Sequence, residues 1–218
     1  MTRMLTPGGV SIAAVRQQME RQKYQAQHTP RMIFAMDATG SREPTWEMAG
    51  KLHREMGAAL GGLTLQLVFF GGTACKASGW LVGGQRLAEL MIKVRCVTGT
   101  TQIARVLQHV LGESKEHTIR ALVYVGDCCE ESGEELFGLA EQLKRRTIPI
   151  FVFQEGTDCV AEPIFRRLAR ITDGIYASFD TGSAEQLRKL LAGAADYAAG
   201  RHQSISDLRN VLLIGRGG

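Results

Sequence analysis

A doubly wound, mostly parallel α/β sheet with helices on both faces is the fold class this sequence predicts, and three observations predict it. Apolar runs of strand length alternate with stretches whose apolar residues recur at helical spacing, and each parallel crossover needs a covering helix of that kind. One run, 119 to 125, is apolar but for Arg120, as expected of a central strand covered on both faces. At 218 residues the chain can bury a sizeable core and is short enough to be one domain with extensions.

The elements follow in order. From Val10 to about Gln27, Ile12, Val15, Met19 and Tyr24 fall at weakly helical spacing that stops before His28-Thr29-Pro30, so residues 1–29 read as a helical extension. A first strand spans Met32 to Met36, and a helix runs from about Pro44 to Leu60, with Pro44 suited to its first turn and Gly61-Gly62 to its end. Thr64 to Phe70 is the second strand. Gly71-Gly72 breaks it, and Ala74 to Leu81 has the look of a short antiparallel edge strand or hairpin. Gln85 to Val94 is helical, and a polar loop through Thr100-Thr101 leads into a helix with Ile103, Val106, Leu107, Val110 and Leu111 on one face. Either threonine suits the cap of that helix. After the strand from Ile119 to Val125, the pattern repeats: helix Glu134 to Arg145, strand Ile148 to Phe153, helix Pro163 to Ile171, strand Gly174 to Phe179, helix Ala184 to Ala199. The core domain is thus 30–199, and 200–218 is a tail. Its apolar patch Val211-Leu212-Leu213-Ile214 either lies on its own domain or serves a partner.

Three loops carry oxygen ligands at equivalent places. Asp37, Thr39 and Ser41 alternate after the first strand, Thr100-Thr101 precede a helix, and Asp127 follows the strand that ends at Val125. Open α/β sheets build their sites at the C-terminal ends of parallel strands, so these residues converge on one point. Carboxylates and hydroxyls make a hard, oxygen-only set suited to Mg²⁺, Mn²⁺ or Ca²⁺, with positions left for water or a visiting group.

This arrangement resembles the von Willebrand factor A (VWA) domain and its metal-ion-dependent adhesion site (MIDAS). In that family an Asp-x-Ser-x-Ser loop, a Thr from a Gly-Gly-Thr-like turn and an Asp at a later strand end surround the ion. The resemblance covers roughly residues 30 to 199 and implies a Rossmann-like fold with metal ligands Asp37, Thr39, Ser41, Thr101 and Asp127. Thr39 stands where the family has Ser and keeps the hydroxyl. Gly126-Asp127-Cys128 replaces the usual Thr-Asp-Gly and keeps only the carboxylate. Thr100, adjacent to Thr101, stays open as the alternative middle ligand. Thr172-Asp173-Gly174 spells the usual last motif but follows a helix and precedes a strand, which makes Asp173 a turn residue at the wrong end of the sheet. The resemblance further implies a non-enzymatic, metal-dependent adaptor or scaffold that binds a partner protein's Asp or Glu carboxylate, working alongside a ring-forming ATPase. A phosphohydrolase using Asp37 as nucleophile and a metal-free structural module are the alternatives. The former lacks a second carboxylate where Thr39 stands.

Other features exclude more than they assign. The balance of 26 Lys+Arg against 22 Asp+Glu gives a net charge of +4. Its basic residues are scattered apart from groups such as Lys144-Arg145-Arg146 and Arg166-Arg167, which does not predict nucleic-acid binding. No apolar run approaches the ~20 residues of a membrane span and no signal peptide is evident, so the expectation is a soluble cytoplasmic protein without a membrane partner. Cys75, Cys96, Cys128, Cys129 and Cys159 include no C-x-x-C pair and read as reduced thiols; zinc is not expected, because adjacent side chains such as Cys128 and Cys129 diverge. His28, His53, His109, His117 and His202 show no paired spacing and read as surface residues. Glu130-Glu131 and Glu134-Glu135 suit a helix N-terminus. Trp46 and Trp80 read as core residues.

Overall fold

Successive residues of the first strand serve opposite cores, and the layering of the molecule follows from that. The computed structural model describes residues 16–17, 29–55, 60, 62–180 and 183–201. Of the expected leading helix only Arg16 and Gln17, both helical, fall among these, and the apolar patch of the tail lies outside them. Strand β1 (Arg31–Asp37) is buried from Met32 onward. Met32, Phe34 and Met36 enter one apolar cluster, Ile33 and Ala35 the other, because neighbouring side chains of a strand point to opposite faces.

A single 3-10 turn (Gly40–Arg42) leads to helix α1 (Glu43–Glu55), with Pro44 in its first turn. Strand β2 (Thr64–Gly71) follows, then β3 (Ala74–Ala77) and β4 (Leu81–Val82), which pair antiparallel with opposite ends of β2. The expected antiparallel edge is therefore present, in two short pieces. Helices α2 (Gly84–Met91) and α3 (Ile103–Glu113) precede the central strand β5 (Ile119–Gly126). The chain then alternates through α4 (Gly133–Arg145), β6 (Ile150–Glu155), α5 (Ala161–Ile171), β7 (Ile175–Phe179) and α6 (Ala184–Ala198).

Strand order is β3-β2-β1-β5-β6-β7, with β1, β2, β5, β6 and β7 parallel. Trp46 and Leu52 of α1, Leu87 of α2 and Leu187 of α6 cover the Met32 face. Val106 of α3, Leu136 of α4 and Phe165 of α5 cover the Ile33 face. This is the doubly wound sheet expected from the sequence.

Two boundaries move for a reason visible in the backbone. Strand β6 begins at Ile150 rather than Ile148 because Thr147 (φ 56°) ends α4 in the left-handed conformation and the Ile148 N–H donates to Leu143 O at 3.1 Å. Such a closure satisfies carbonyls that the helix end leaves bare. Asp173 (φ 56°) ends α5 the same way, with Gly174 N–H donating to Ala169 O at 2.7 Å. It is a turn residue, as its position in the sequence implied.

The sheet winds outward in both directions from β1, which lies between β2 and β5. The crevice beyond the C-terminal ends of β1 and β5 is thus a topological switch point, the place where open α/β sheets bind ligands.

Candidate metal centre

Asp37 is the last residue of β1 and is fully buried. Its Oδ1 accepts the Thr39 N–H at 2.7 Å, which is the local turn that ends the strand. Its Oδ2 has no hydrogen-bond partner. Burial, opposed by the Thr39 N–H and reinforced by the charge of Asp127, raises the Asp37 carboxyl from 3.8 to about 6. Trp46 supports the strand end from below by donating its indole N–H to Asp37 O at 2.6 Å.

Asp127 follows β5 directly, and its Oδ1 is likewise buried without a partner. Cys128 joins the two carboxylates: one ligand atom each from Asp37, Asp127 and Cys128 lie within 4.8 Å of one another. Burial first, then the charge of Asp127 and a hydrogen bond to it, push the Cys128 thiol up to about 12. Cys129 is instead part of the buried apolar core, with its Sγ 3.8 Å from Glu131 O.

The remaining expected ligands frame this group. Thr39, Gly40, Thr98, Gly99, Thr101, Cys128 and Glu130 line a cavity of about 290 Å³. Thr101 is buried and Thr100 is exposed and absent from that lining, which favours Thr101 of the two threonines. Its hydroxyl accepts the Glu130 N–H at 3.1 Å while its own N–H donates to Glu130 Oε2 at 2.9 Å. Ser41 sits in the 3-10 turn beside these residues, and its side chain lies outside those described. The loop carrying Thr101 depends on Gly99, where a Cβ would meet Gly72 N at 2.1 Å. Only a glycine allows the two backbones to approach so closely.

Neither threonine caps α3. Its N-cap residue is Gln102, without a side-chain cap, and Glu131 crosses from the β5–α4 loop to accept the N–H groups of Ile103 and of Ala104, the latter at 2.9 Å. The first turn of α4 keeps Glu134 and Glu135. The acidic run is thus divided between two helices, and Glu130 and Glu131 tie the Thr101 loop to the Asp127 loop.

Sequence reasoning missed Arg42 and Glu155. Arg42 is 2% exposed and Glu155, the last residue of β6, is 4% exposed. The Arg42 Nη1 pairs with Glu155 Oε2 and lies 3.7 Å from Asp127 Oδ2. Thr45 donates its hydroxyl to the same Glu155 oxygen at 2.6 Å. One signal was available: Arg42 follows the ligand loop directly, at the start of a helix, where a basic residue is out of place.

These residues fit a divalent cation. Asp127 and Glu155 share one guanidinium, and two orphaned oxygens, on Asp37 and Asp127, are on the same group of side chains as a third possible ligand atom. Buried polar atoms are ordinarily satisfied, and a cation satisfies two carboxylates at once while removing their repulsion. Asp37 and Asp127 would hold it directly, with the Cys128 thiol beside them. The chemistry it would supply is Lewis acidity toward an oxygen ligand. Lys144 pairs with Asp173 on the opposite side of the sheet, far from this group in the register.

No protein-family model and no curated sequence matches the chain. Solved structures do match its fold. An aerotolerance-related membrane protein from Bacteroides fragilis aligns over 79% of this chain and 99% of its own with a TM-score of 0.61 at 14% identity. BatB from Bacteroides thetaiotaomicron aligns over 76% and 98%, with a TM-score of 0.58 at 15% identity. The VWA domain of SpRpn10 aligns over 75% and 94%, with a TM-score of 0.56 at 13% identity. With its strand order, its antiparallel edge and these structural neighbours, the chain has the von Willebrand factor A fold.

Proposed function

We propose that this chain is a non-enzymatic protein-binding module of the adhesion type. In this reading a divalent cation held at Asp37 and Asp127, with Thr39, Ser41 and Thr101 around it, accepts an Asp or Glu carboxylate from a partner protein. The observation that carries the proposal is the pair of buried, unpartnered carboxylate oxygens at the switch point of the sheet. A cation with a free coordination position gives a partner carboxylate a directed bond strong enough to offset its desolvation. The cavity beside it, about 290 Å³, has room for a carboxylate side chain. The chain would act as an adaptor or scaffold in the cytoplasm, where its five free thiols would stay reduced, and a ring-forming ATPase system is the partner class the family resemblance suggests. Among the described residues no helix is long and apolar enough to cross a membrane.

The test is capture of a partner by immobilised chain in the presence of Mg²⁺, Mn²⁺ or EDTA. A carboxylate-dependent partner is released by EDTA and is not captured by Asp37→Ala, while circular dichroism shows the variant folded. Capture that persists through both treatments refutes the metal-dependent reading and leaves a structural module. Turnover of a generic phosphate ester by the wild type, lost in Asp37→Asn, would place the chain among phosphohydrolases instead.

A further inference from the structure

The sequence predicted an all-oxygen site, yet a thiol joins the two carboxylates that carry free oxygens. Asp37, Asp127 and Cys128 each offer one ligand atom, all within 4.8 Å of one another. Asp37 is fully buried, and its Oδ2 has no partner. Asp127 Oδ1 is in the same condition. A tetrahedral ion with oxygen ligands at ~2.1 Å and sulfur at ~2.3 Å separates its ligand atoms by roughly 3.6 Å. The three groups therefore need to close by only about an ångström.

We propose that this site is thiophilic: Asp37, Asp127 and Cys128 together bind Zn²⁺, or a similar borderline ion, in preference to Mg²⁺. The inference rests on the metal-dependent reading above and specifies the ion. Mg²⁺ demands six hard oxygen ligands in a near-ideal octahedron and has no use for sulfur, and Ca²⁺ needs still more oxygens. Zn²⁺ takes mixed carboxylate and thiolate ligands in fours, and three protein ligands leave the fourth position open. That position receives the partner's carboxylate. On loading, the Cys128 thiol passes its proton to solvent and its sulfur binds the ion as thiolate. The divergence of Cys128 and Cys129 is what permits this: Cys129 belongs to the apolar core and Cys128 joins the carboxylates.

The remaining oxygen groups then act around the ion rather than on it. Thr101 is engaged with Glu130 through both its hydroxyl and its N–H, and Thr39 N–H holds the second oxygen of Asp37. Thr39 thus orients Asp37 as the outer partner of a metal ligand does, while Thr101 fixes the loop that follows Asp127.

Reduced, metal-free full-length chain titrated with Co²⁺ tests the proposal. A thiolate-to-cobalt charge-transfer band should grow in to stoichiometric Co²⁺, disappear on adding stoichiometric Zn²⁺, and survive a large excess of Mg²⁺. Cys128→Ser should abolish the band and weaken Zn²⁺ by at least about tenfold, the lower end of what even an outer partner of a ligand contributes. Cys129→Ser and Cys159→Ser should retain it. In the wild type, Zn²⁺ should shield Cys128 among the five thiols from alkylation, a readout that needs no variant to fold. Cobalt binding without a thiolate band, a band that persists in Cys128→Ser, or displacement by Mg²⁺ at concentrations similar to Zn²⁺ overturns the thiophilic assignment and leaves the metal-dependent module standing. If no divalent ion binds at all, both fall.

Discussion

Arg42 is the residue on which the metal-free site depends. Its guanidinium stands among the carboxylates of Glu155 and Asp127 with nearly no exposure, and its own Nε and Nη2 find no partner. It neutralises one of the charges gathered at the switch point and leaves the other oxygens of Asp37 and Asp127 free. Breaking a buried ion pair from one side strands a charge in a poor solvent, at a cost of about 3–5 kcal/mol. Arg42→Met should therefore lower stability by about that amount in EDTA, read from urea midpoints. The double variant R42M/E155M should recover much of the loss, because the stranded carboxylate is gone; an equally unstable double variant would mean that Arg42 acts through packing alone. Sequence pattern could not expose this pair, since Arg42 and Glu155 lie far apart in the chain and meet only because β1 and β6 flank β5.

At the scale of elements, the two loops that complete the site are joined by a cap supplied from outside the helix it caps. The first free N–H groups of α3 are satisfied by Glu131 rather than by a residue of their own segment, so the start of α3 is tied to the loop after β5. A helix N-terminus favours a carboxylate both as acceptor and as opposite charge. Glu131→Ala should cost about 1–2 kcal/mol, seen as a lower urea midpoint at unchanged m-value, and should weaken cation binding because the Thr101 and Asp127 loops are then joined through Glu130 alone. Stability falling without any change in cation affinity would show the two loops to be independent. The sequence-based cap at Thr100 or Thr101 failed for an identifiable reason: local spacing names residues able to cap but cannot see a carboxylate arriving from another loop.

For the whole molecule, proton and cation compete for the same buried carboxylate. Asp37 ionises near 3.8 in the unfolded chain and at about 6 in the folded one. Between those values the folded chain keeps a proton that the unfolded chain has released, so metal-free stability falls as pH rises from about 4 to about 7 and then levels. The fall amounts to about 3 kcal/mol. Urea unfolding in EDTA across this range should trace it, and Asp37→Asn should flatten it. A divalent cation binds the ionised form, so its stabilisation should grow over the same interval, reaching about 2.7 kcal/mol at a hundredfold excess over Kd. A cation effect that shrinks with rising pH would mean that binding occurs away from Asp37.

The sequence by itself determined the fold class and the order of its elements, and it named the strand ends at which the candidate ligands stand. Those are carried by the period of the apolar residues and by the turn residues at strand ends, which act over a few positions. Asp37 and Asp127 could be named early because each ends a recognisable strand, and Asp173 could be set aside because it does not. What only the tertiary structure decided is the company those carboxylates keep. Arg42 meets Glu155, and Glu131 the start of α3, across segments whose mutual distance is set by sheet order, and loop closure turns the thiol of Cys128, next to Asp127 in the chain, toward the carboxylates; no local pattern encodes such distances. The choice between a hard and a borderline ion turns on that last arrival, a sulfur atom placed beside two buried, unpartnered oxygens.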